Sequence, residues 1–325
     1  MHFISTRGNK EKVIASKAII KGICDDGGLY VPTYFPNLKD KLNNLVNLSY
    51  KKLCFEILKL FLDDFNEKEL MDCINKSYDD KFDNEKIAPT VKIKDNYFLE
   101  LYHGPTCAFK DMALTLMPLL LEKSLEKNNI KEDIVILTAT SGDTGKAALE
   151  GFKNLEKIKI IVFFPEDGVS TIQKLQMKSQ EGNNTYVVSI KGNFDDAQSS
   201  VKSIFNDENF NKKLKQNNYI LSSANSINIG RLLPQVVYYF YSYLELVRNK
   251  NINLGDKINF VVPTGNFGNI LAAYYSKNMG LPINKLICAS NENNVLYDFF
   301  TTGKYNKNRK LHLTTSPSMD ILISS

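Results

Sequence analysis

Ile134-Val135-Ile136-Leu137-Thr138-Ala139-Thr140-Ser141-Gly142-Asp143-Thr144-Gly145-Lys146 decides the fold. Residues 134–137 are a short apolar, β-branched run and read as a strand. Residues 138–145 are mostly small or hydroxylated and predict a loop. Helical spacing starts at Lys146 and continues to Phe152. Backbone N–H groups at such a helix start can face an anion; the bland alternative is a plain N-cap turn. A triphosphatase P-loop is excluded. That motif needs glycine at 140, where Thr140 stands, and Ser or Thr at 147, where Ala147 stands.

The same order recurs on both sides. Further strands are predicted at 158–164, 186–190, 260–262 and 286–289, and helices at 112–121, 171–179, 194–205, 232–247 and 270–279. This alternation predicts an α/β protein with a mainly parallel sheet flanked by helices. Ligands in such folds sit beyond the C-terminal ends of the strands. Residues 1–95 read differently, as a small, mostly helical region joined to an α/β region over 96–325. Leu53, Ile57, Leu58, Leu60 and Phe61 follow helical spacing, as do Leu70, Met71 and Ile74. Gly27-Gly28 marks a turn into an extended segment at 29–32.

Composition narrows the function. The chain has 325 residues, 43% of them hydrophobic and 24% charged, which excludes collagen-like and disordered classes. The net charge of +5 comes almost wholly from lysine, because the arginines are Arg7, Arg231, Arg248 and Arg309. Nucleic-acid recognition favours clustered arginine, so no nucleic-acid partner is expected. The five cysteines form no C-x-x-C pair, which argues against structural zinc and suits a reducing compartment. The N-terminus has no apolar signal core, and the most apolar stretch, 112–121, is too short to span a bilayer. A cytoplasmic protein without a membrane partner is the expectation.

Three more loops carry chemistry. His103-Gly104-Pro105-Thr106-Cys107-Ala108-Phe109-Lys110-Asp111 places a lysine where a turn becomes a helix. Partly apolar surroundings lower a lysine's pKa, which is what an amine needs to form a Schiff base. Ser222-Ser223-Ala224-Asn225-Ser226-Ile227-Asn228-Ile229-Gly230-Arg231 brings a scarce arginine to a helix start. Arg231 could clamp a phosphate or carboxylate, although Asn225, Ser226 or Asn228 could simply cap the helix. Val262-Pro263-Thr264-Gly265-Asn266-Phe267-Gly268-Asn269 is a glycine turn that lacks the dinucleotide G-x-G-x-x-G spacing.

Together these segments resemble the threonine synthase family, within the fold type II pyridoxal-phosphate enzymes related to tryptophan synthase β. The most specific pieces are residues 103–111 and Asn225-Ser226-Ile227-Asn228 with Arg231. The resemblance runs from Asp26-Gly27-Gly28-Leu29 to Ser316-Pro317-Ser318-Met319-Asp320-Ile321. It implies pyridoxal 5'-phosphate as cofactor, with Lys110 as the catalytic lysine joined to it and Phe109 alongside. It implies Gly265, Asn266, Phe267, Gly268 and Asn269 as the cradle of the cofactor phosphate, and Asp143 near the cofactor's 3-hydroxyl. Thr140, Ser141 and Thr144 would hold substrate carboxylate or phosphate. Asn225, Ser226 and Arg231 would hold the phosphate of O-phospho-L-homoserine, which water converts to threonine. Cys107 stands where relatives often have a bulkier aliphatic residue, and Asn269 replaces an aspartate seen in some relatives; an effect on packing alone is expected of the first and little consequence of the second.

Relatives continue well beyond a Met-Asp-Ile segment, so the end at Ser325 reads as a C-terminal truncation that omits the group contacting the pyridine nitrogen. The expected assembly is a monomer or homodimer. Two other readings stay open: a phosphohomoserine phospho-lyase or amino-acid dehydratase on the same fold, and a non-catalytic truncated binding module.

Overall fold

The computed structural model describes residues 1–320 apart from 141, 167, 168, 193, 307, 311 and 313, and the backbone alone at 195 and 317. The N-terminal region opens with β1 (Phe3–Ser5), α1 (Ala15–Lys21) and β2 (Tyr30–Pro32), then α2 (Leu42–Leu45), α3 (Tyr50–Leu58) and α4 (Glu67–Ser77). An antiparallel hairpin follows, β3 (Thr90–Ile93) with β4 (Asn96–Leu99). The predicted helices at 53–61 and 70–74 are α3 and α4. Asn66 starts α4 with a capping box, its side chain accepting from Glu69 N while Glu69 returns a bond to Asn66 N.

The α/β region runs α5 (Asp111–Leu114), α6 (Met117–Lys127), β5 (Asp133–Ala139), α7 (Asp143–Phe152), β6 (Ile158–Pro165), α8 (Thr171–Lys178), β7 (Thr185–Ile190), α9 (Phe194–Asn206), α10 (Glu208–Gln216) and β8 (Tyr219–Ser222). It closes with α11 (Ile229–Arg248), β9 (Ile258–Pro263), α12 (Gly268–Asn278), β10 (Ile283–Ala289) and α13 (Val295–Thr302). One sheet has the order β7-β6-β5-β8, parallel throughout, with Ile134 opposite Ile158 and Ile220. A second parallel pair joins β9 and β10, with Val262 opposite Cys288. The α/β expectation therefore holds. Among the described residues no helix is long and apolar enough to cross a membrane.

The predicted helix at 112–121 is two helices. Pro118 has no N–H for the carbonyl of Leu114, and its ring crowds that carbonyl, so the helix breaks at 115–116. Gly151 of α7 packs against the freed group; a Cβ there would lie 2.0 Å from Leu114 O. Only glycine allows this approach, which brings α7 down onto α5.

The hydrophobic core is continuous across residue 95. Ile19, Leu53, Ile57 and Tyr78 belong to the same buried cluster as Met117, Ile136, Val162 and Phe240. Helix α11 runs through its centre with residues 229–246 all buried, the pattern of a helix apolar on every side. Polar ties lock the N-terminal region to α11. Glu245 accepts from Lys86 Nζ at 2.8 Å and from Thr90 N at 2.7 Å. Arg248 donates to the carbonyls of Val46 and Leu48 at 2.8 and 3.1 Å.

A further tie holds the loop that carries Lys110. The His103 ring sits between Asp83 Oδ1 at 2.5 Å and Glu100 Oε2 at 2.9 Å. Burial lowers its pKa, but the bonds to Glu100 and Asp83 outweigh this and raise it above the ordinary 6.5. A raised folded pKa stabilises the fold fully below pH 6.5, and this contribution fades as pH rises through the folded value. Wild-type chain should exceed His103→Gln in stability at pH 6 by up to about 1 kcal/mol, limited by the exposure of Asp83. Denaturant midpoints of the two proteins should converge toward pH 9; a pH-independent gap contradicts the assignment.

Candidate functional site

The loop before α5 is built to present Lys110. Asp111 accepts from Thr106 N at 2.8 Å and from Thr106 Oγ1 at 2.6 Å, closing residues 106–111 into a turn. Gly104 must be glycine for this, because a Cβ there would meet Asp111 Cβ at 2.6 Å. Lys110 lies at the N-cap of α5, only 4% exposed. Its Nζ stands 4.6 Å from the centre of the Phe109 ring.

A second loop supplies the counter-charge. After β5, Thr140 Oγ1 accepts from Gly142 N at 3.0 Å and Gly145 N at 2.9 Å, folding the chain back into α7. Asp143 thereby enters the first turn of α7, and its Oδ2 accepts from Lys110 Nζ at 2.6 Å. Burial pushes the Lys110 pKa down and Asp143 partly restores it, while neighbouring Arg231 lowers it further. Burial would raise Asp143, but Lys110 holds it below the usual carboxylate range. Asp111 also lies near, yet both its oxygens face Thr106, and burial raises its pKa.

The third loop delivers Arg231. Asn228 proves to be the cap: its Oδ1 accepts from Gly230 N at 2.8 Å, and its Nδ2 donates to Ile19 O at 3.0 Å in α1. Arg231 is 2% exposed, and Nη1 donates to Ala224 O at 3.0 Å. Its Nε is buried without a partner, and its guanidinium forms no ion pair among the described residues. Burial lowers its pKa to about 10.

The fourth loop closes the cleft. Phe267 is in the left-handed conformation with φ 64° at the N-cap of α12 and offers no side-chain acceptor. The first-turn N–H groups of α12 therefore remain open. A cleft lies between Phe109 and Lys110 on one loop and Ser226, Arg231 and Gln235 at the start of α11. Thr264, Gly265, Asn266, Gly268 and Asn269 form another wall.

A fifth segment, not anticipated, completes the cleft. Ser318 and Met319 line it, and Ser318 Oγ donates to the same Asp143 oxygen that Lys110 uses. Asp320 pins this strap, accepting from Asn291 Nδ2 at 2.8 Å, Asn293 Nδ2 at 3.1 Å and Thr314 N at 2.7 Å. The Ser316-Pro317-Ser318-Met319 match marked this segment as family-like, but no spacing rule places it against Asp143.

Eight of the expected residues line this cleft: Phe109, Lys110, Ser226, Arg231, Gly265, Asn266, Gly268 and Asn269. Asp143 joins them through Lys110. Phe267 packs its ring 6.3 Å from Phe300 rather than lining the cleft. Thr140 is 1% exposed and its oxygen serves the turn. Thr144 and Asn225 are partly exposed beside their loops and do not line the cleft. Ser141 and Ile321 lie outside the described residues.

The donors fit pyridoxal phosphate. It needs an amine of lowered pKa, which Lys110 supplies, and cationic or N–H donors for its phosphate. The uncapped start of α12 offers such N–H donors, and the orphaned Arg231 Nε remains as a further buried donor on the cleft. Burying an unpaired guanidinium costs several kcal/mol. Arg231→Met should therefore leave the ligand-free chain unchanged or more stable by about 1–2 kcal/mol, while removing its stabilisation by added phosphate. Thermal melts with and without phosphate check this; a large loss of ligand-free stability would mean that Arg231 is a purely structural tie.

Residues 2–78 match the family model for the threonine synthase N terminus, and residues 85–324 match the model for pyridoxal-phosphate-dependent enzymes. Human threonine synthase-like 1 is 45% identical over 343 residues, covering 99% of this chain and 46% of the relative. Threonine synthase of Saccharomyces cerevisiae is 40% identical over 337 residues, covering 99% of this chain and 64% of the relative. The crystal structure of PLP-bound threonine synthase from Brucella melitensis superposes with a TM-score of 0.88 at 38% identity, over 100% of this chain and 68% of that one. The chain thus spans about half the length of the threonine synthase-like 1 relatives and about two thirds of these threonine synthases. With two family models matched in tandem and a shared fold at this identity, the chain belongs to the threonine synthase family of pyridoxal-phosphate-dependent enzymes.

Proposed function

We propose that this chain binds pyridoxal 5'-phosphate through Lys110 and converts O-phospho-L-homoserine and water to L-threonine and phosphate. The observation that carries this reading is the pairing of two buried cations, Lys110 and Arg231, on one cleft, where Asp143 is the carboxylate touching Lys110. That excess of positive charge suits a substrate and a cofactor that both carry phosphate.

The bound cofactor supplies an electron sink for carbanions formed next to the substrate's amino group. The protein does the rest. Lys110 Nζ, with its pKa lowered by burial, can take a proton from the substrate α-carbon and return protons at the β- and γ-carbons. Asp143 Oδ2 holds that nitrogen at 2.6 Å and so fixes where the proton is picked up and delivered. Arg231 is assigned to the departing phosphate, where its fork of donors stabilises the developing charge. Ser226, on the same wall of the cleft, offers a hydroxyl donor, with Asn225 next to it in the chain. The substrate carboxylate is assigned to the start of α7 with Ser141 and Thr144; the Thr144 hydroxyl makes no hydrogen bond among the described residues.

A phospho-lyase on this fold would use the same cations, so product identity separates the readings. Purified chain supplied with pyridoxal phosphate and O-phosphohomoserine should release phosphate and threonine in equal amounts. Lys110→Ala should lower turnover at least about a thousandfold, because it removes the proton carrier. Phosphate accompanied by 2-oxobutyrate would make the chain a phospho-lyase. Cofactor binding without any turnover would make it a binding module.

A further inference from the structure

Asn269 is the second residue of α12 and lines the cleft beside Gly265 and Gly268. Its side-chain oxygen is fully engaged from behind. Tyr238 Oη donates to Asn269 Oδ1 at 2.5 Å, and Tyr239 Oη donates to the same atom at 2.6 Å. An amide oxygen has two lone pairs, so both are filled. Both phenols are buried, at 0% and 2% exposure, and burial pushes their pKa values far up, so they remain donors. The rings are held in place as well. Tyr239 packs edge-on to Phe260 with centroids 5.0 Å apart, and the two tyrosine rings are 4.8 Å apart.

An asparagine amide can turn over, exchanging its acceptor for its donor. The exchange is disfavoured here: phenol oxygens can accept from N–H groups and Tyr238 could turn its proton to Gln235 Oε1, but the reversed amide would take away the acceptor of the buried Tyr239 O–H. The Nδ2 group is therefore directed away from α11, and among the described residues it has no hydrogen-bond partner. Core packing alone does not account for this. Phenylalanine at both positions would fill the same space without burying two hydroxyls that must find an acceptor. Gln235 Oε1 also lies near Tyr238 Oη, at 3.1 Å, but Tyr238 has one proton and its shorter contact is to Asn269.

We propose that Tyr238 and Tyr239 are positioning residues that lock the Asn269 amide with its N–H groups toward the cleft, as a donor to the phosphate bound at the start of α12. The inference rests on the cofactor reading above for the identity of that phosphate. It predicts an effect specific to phosphate, which loosened packing would not give.

The test compares wild-type chain with Tyr238→Phe/Tyr239→Phe, in both the native and the Asn269→Ala backgrounds. Affinities for pyridoxal phosphate and for pyridoxal are read by absorbance, and affinity for inorganic phosphate by calorimetry. The double phenylalanine variant should bind pyridoxal phosphate about three- to tenfold more weakly, the loss of one oriented hydrogen bond. Pyridoxal affinity should not change, and the Asn269→Ala background should show no further loss. Wild-type affinity in the double variant, or equal losses for pyridoxal and pyridoxal phosphate, would overturn the proposal. Should the double variant not fold, Tyr239→Phe alone carries the same comparison. If wild-type chain forms no pyridoxal phosphate complex, the cofactor reading fails. Inorganic phosphate then decides the positioning role, and equal affinities in wild type and variant overturn it.

Discussion

The cleft depends on a charge imbalance held out of water. Lys110 and Arg231 are both almost fully buried, and the carboxylate in contact with Lys110 is Asp143, 2.6 Å from its Nζ. Charges in such surroundings interact far more strongly than at a surface and cost far more to leave unpaired. One cation is matched; the other, with an orphaned Nε, is not. A bound anion resolves this imbalance. The same burial that makes Arg231 costly without a counter-charge favours the phosphate proposed to bind there, and burial also lowers the Lys110 pKa.

Each charged group reaches its place because a short polar staple shapes the loop beneath it. Asp111 and Thr106 close the turn that carries Lys110. Thr140 folds the chain that carries Asp143. Asn228 caps the helix that carries Arg231 and ties it to α1 in the N-terminal region. These staples sit on parallel strands and on a wholly buried central helix, which keep the loop ends close without flexible connections. The N-terminal region is thereby part of the site's support: Ile19 and Ile20 carbonyls receive bonds from Asn228 and Ser222, the residues leading into α11.

Much of this was legible in the amino-acid order. Strand–loop–helix alternation marked β5, β6, β7, β9 and β10, because their cores are short apolar runs bounded by glycine, proline or hydroxyl residues. Two of the four site loops, 138–146 and 262–269, followed from their place after β5 and β9, while the other two were marked by Lys110 and Arg231 at helix starts. Singling out Lys110 among 37 lysines needed the resemblance of residues 103–111, since nothing in composition separates a buried lysine from a surface one. What stayed hidden was long-range. Ser318 meets Asp143 across 175 residues, and Tyr238 and Tyr239 reach Asn269 across 31 and 30. The break before Pro118 was readable in principle, but the apolar run around it masked the proline. The choice of Asn228 over Asn225 and Ser226 as the cap depends on Ile19, which only the fold brings near.

The most direct measurement is chemical trapping. The chain is incubated with pyridoxal phosphate, reduced with borohydride, digested and analysed by mass spectrometry. Modification confined to the peptide that contains Lys110 is the expected result, because this buried amine combines a lowered pKa with a place across the cleft from the proposed phosphate cradle. Modification at another lysine, or spread over surface lysines with Lys110 spared, would contradict the placement of the cofactor and the charge imbalance on which the cleft depends.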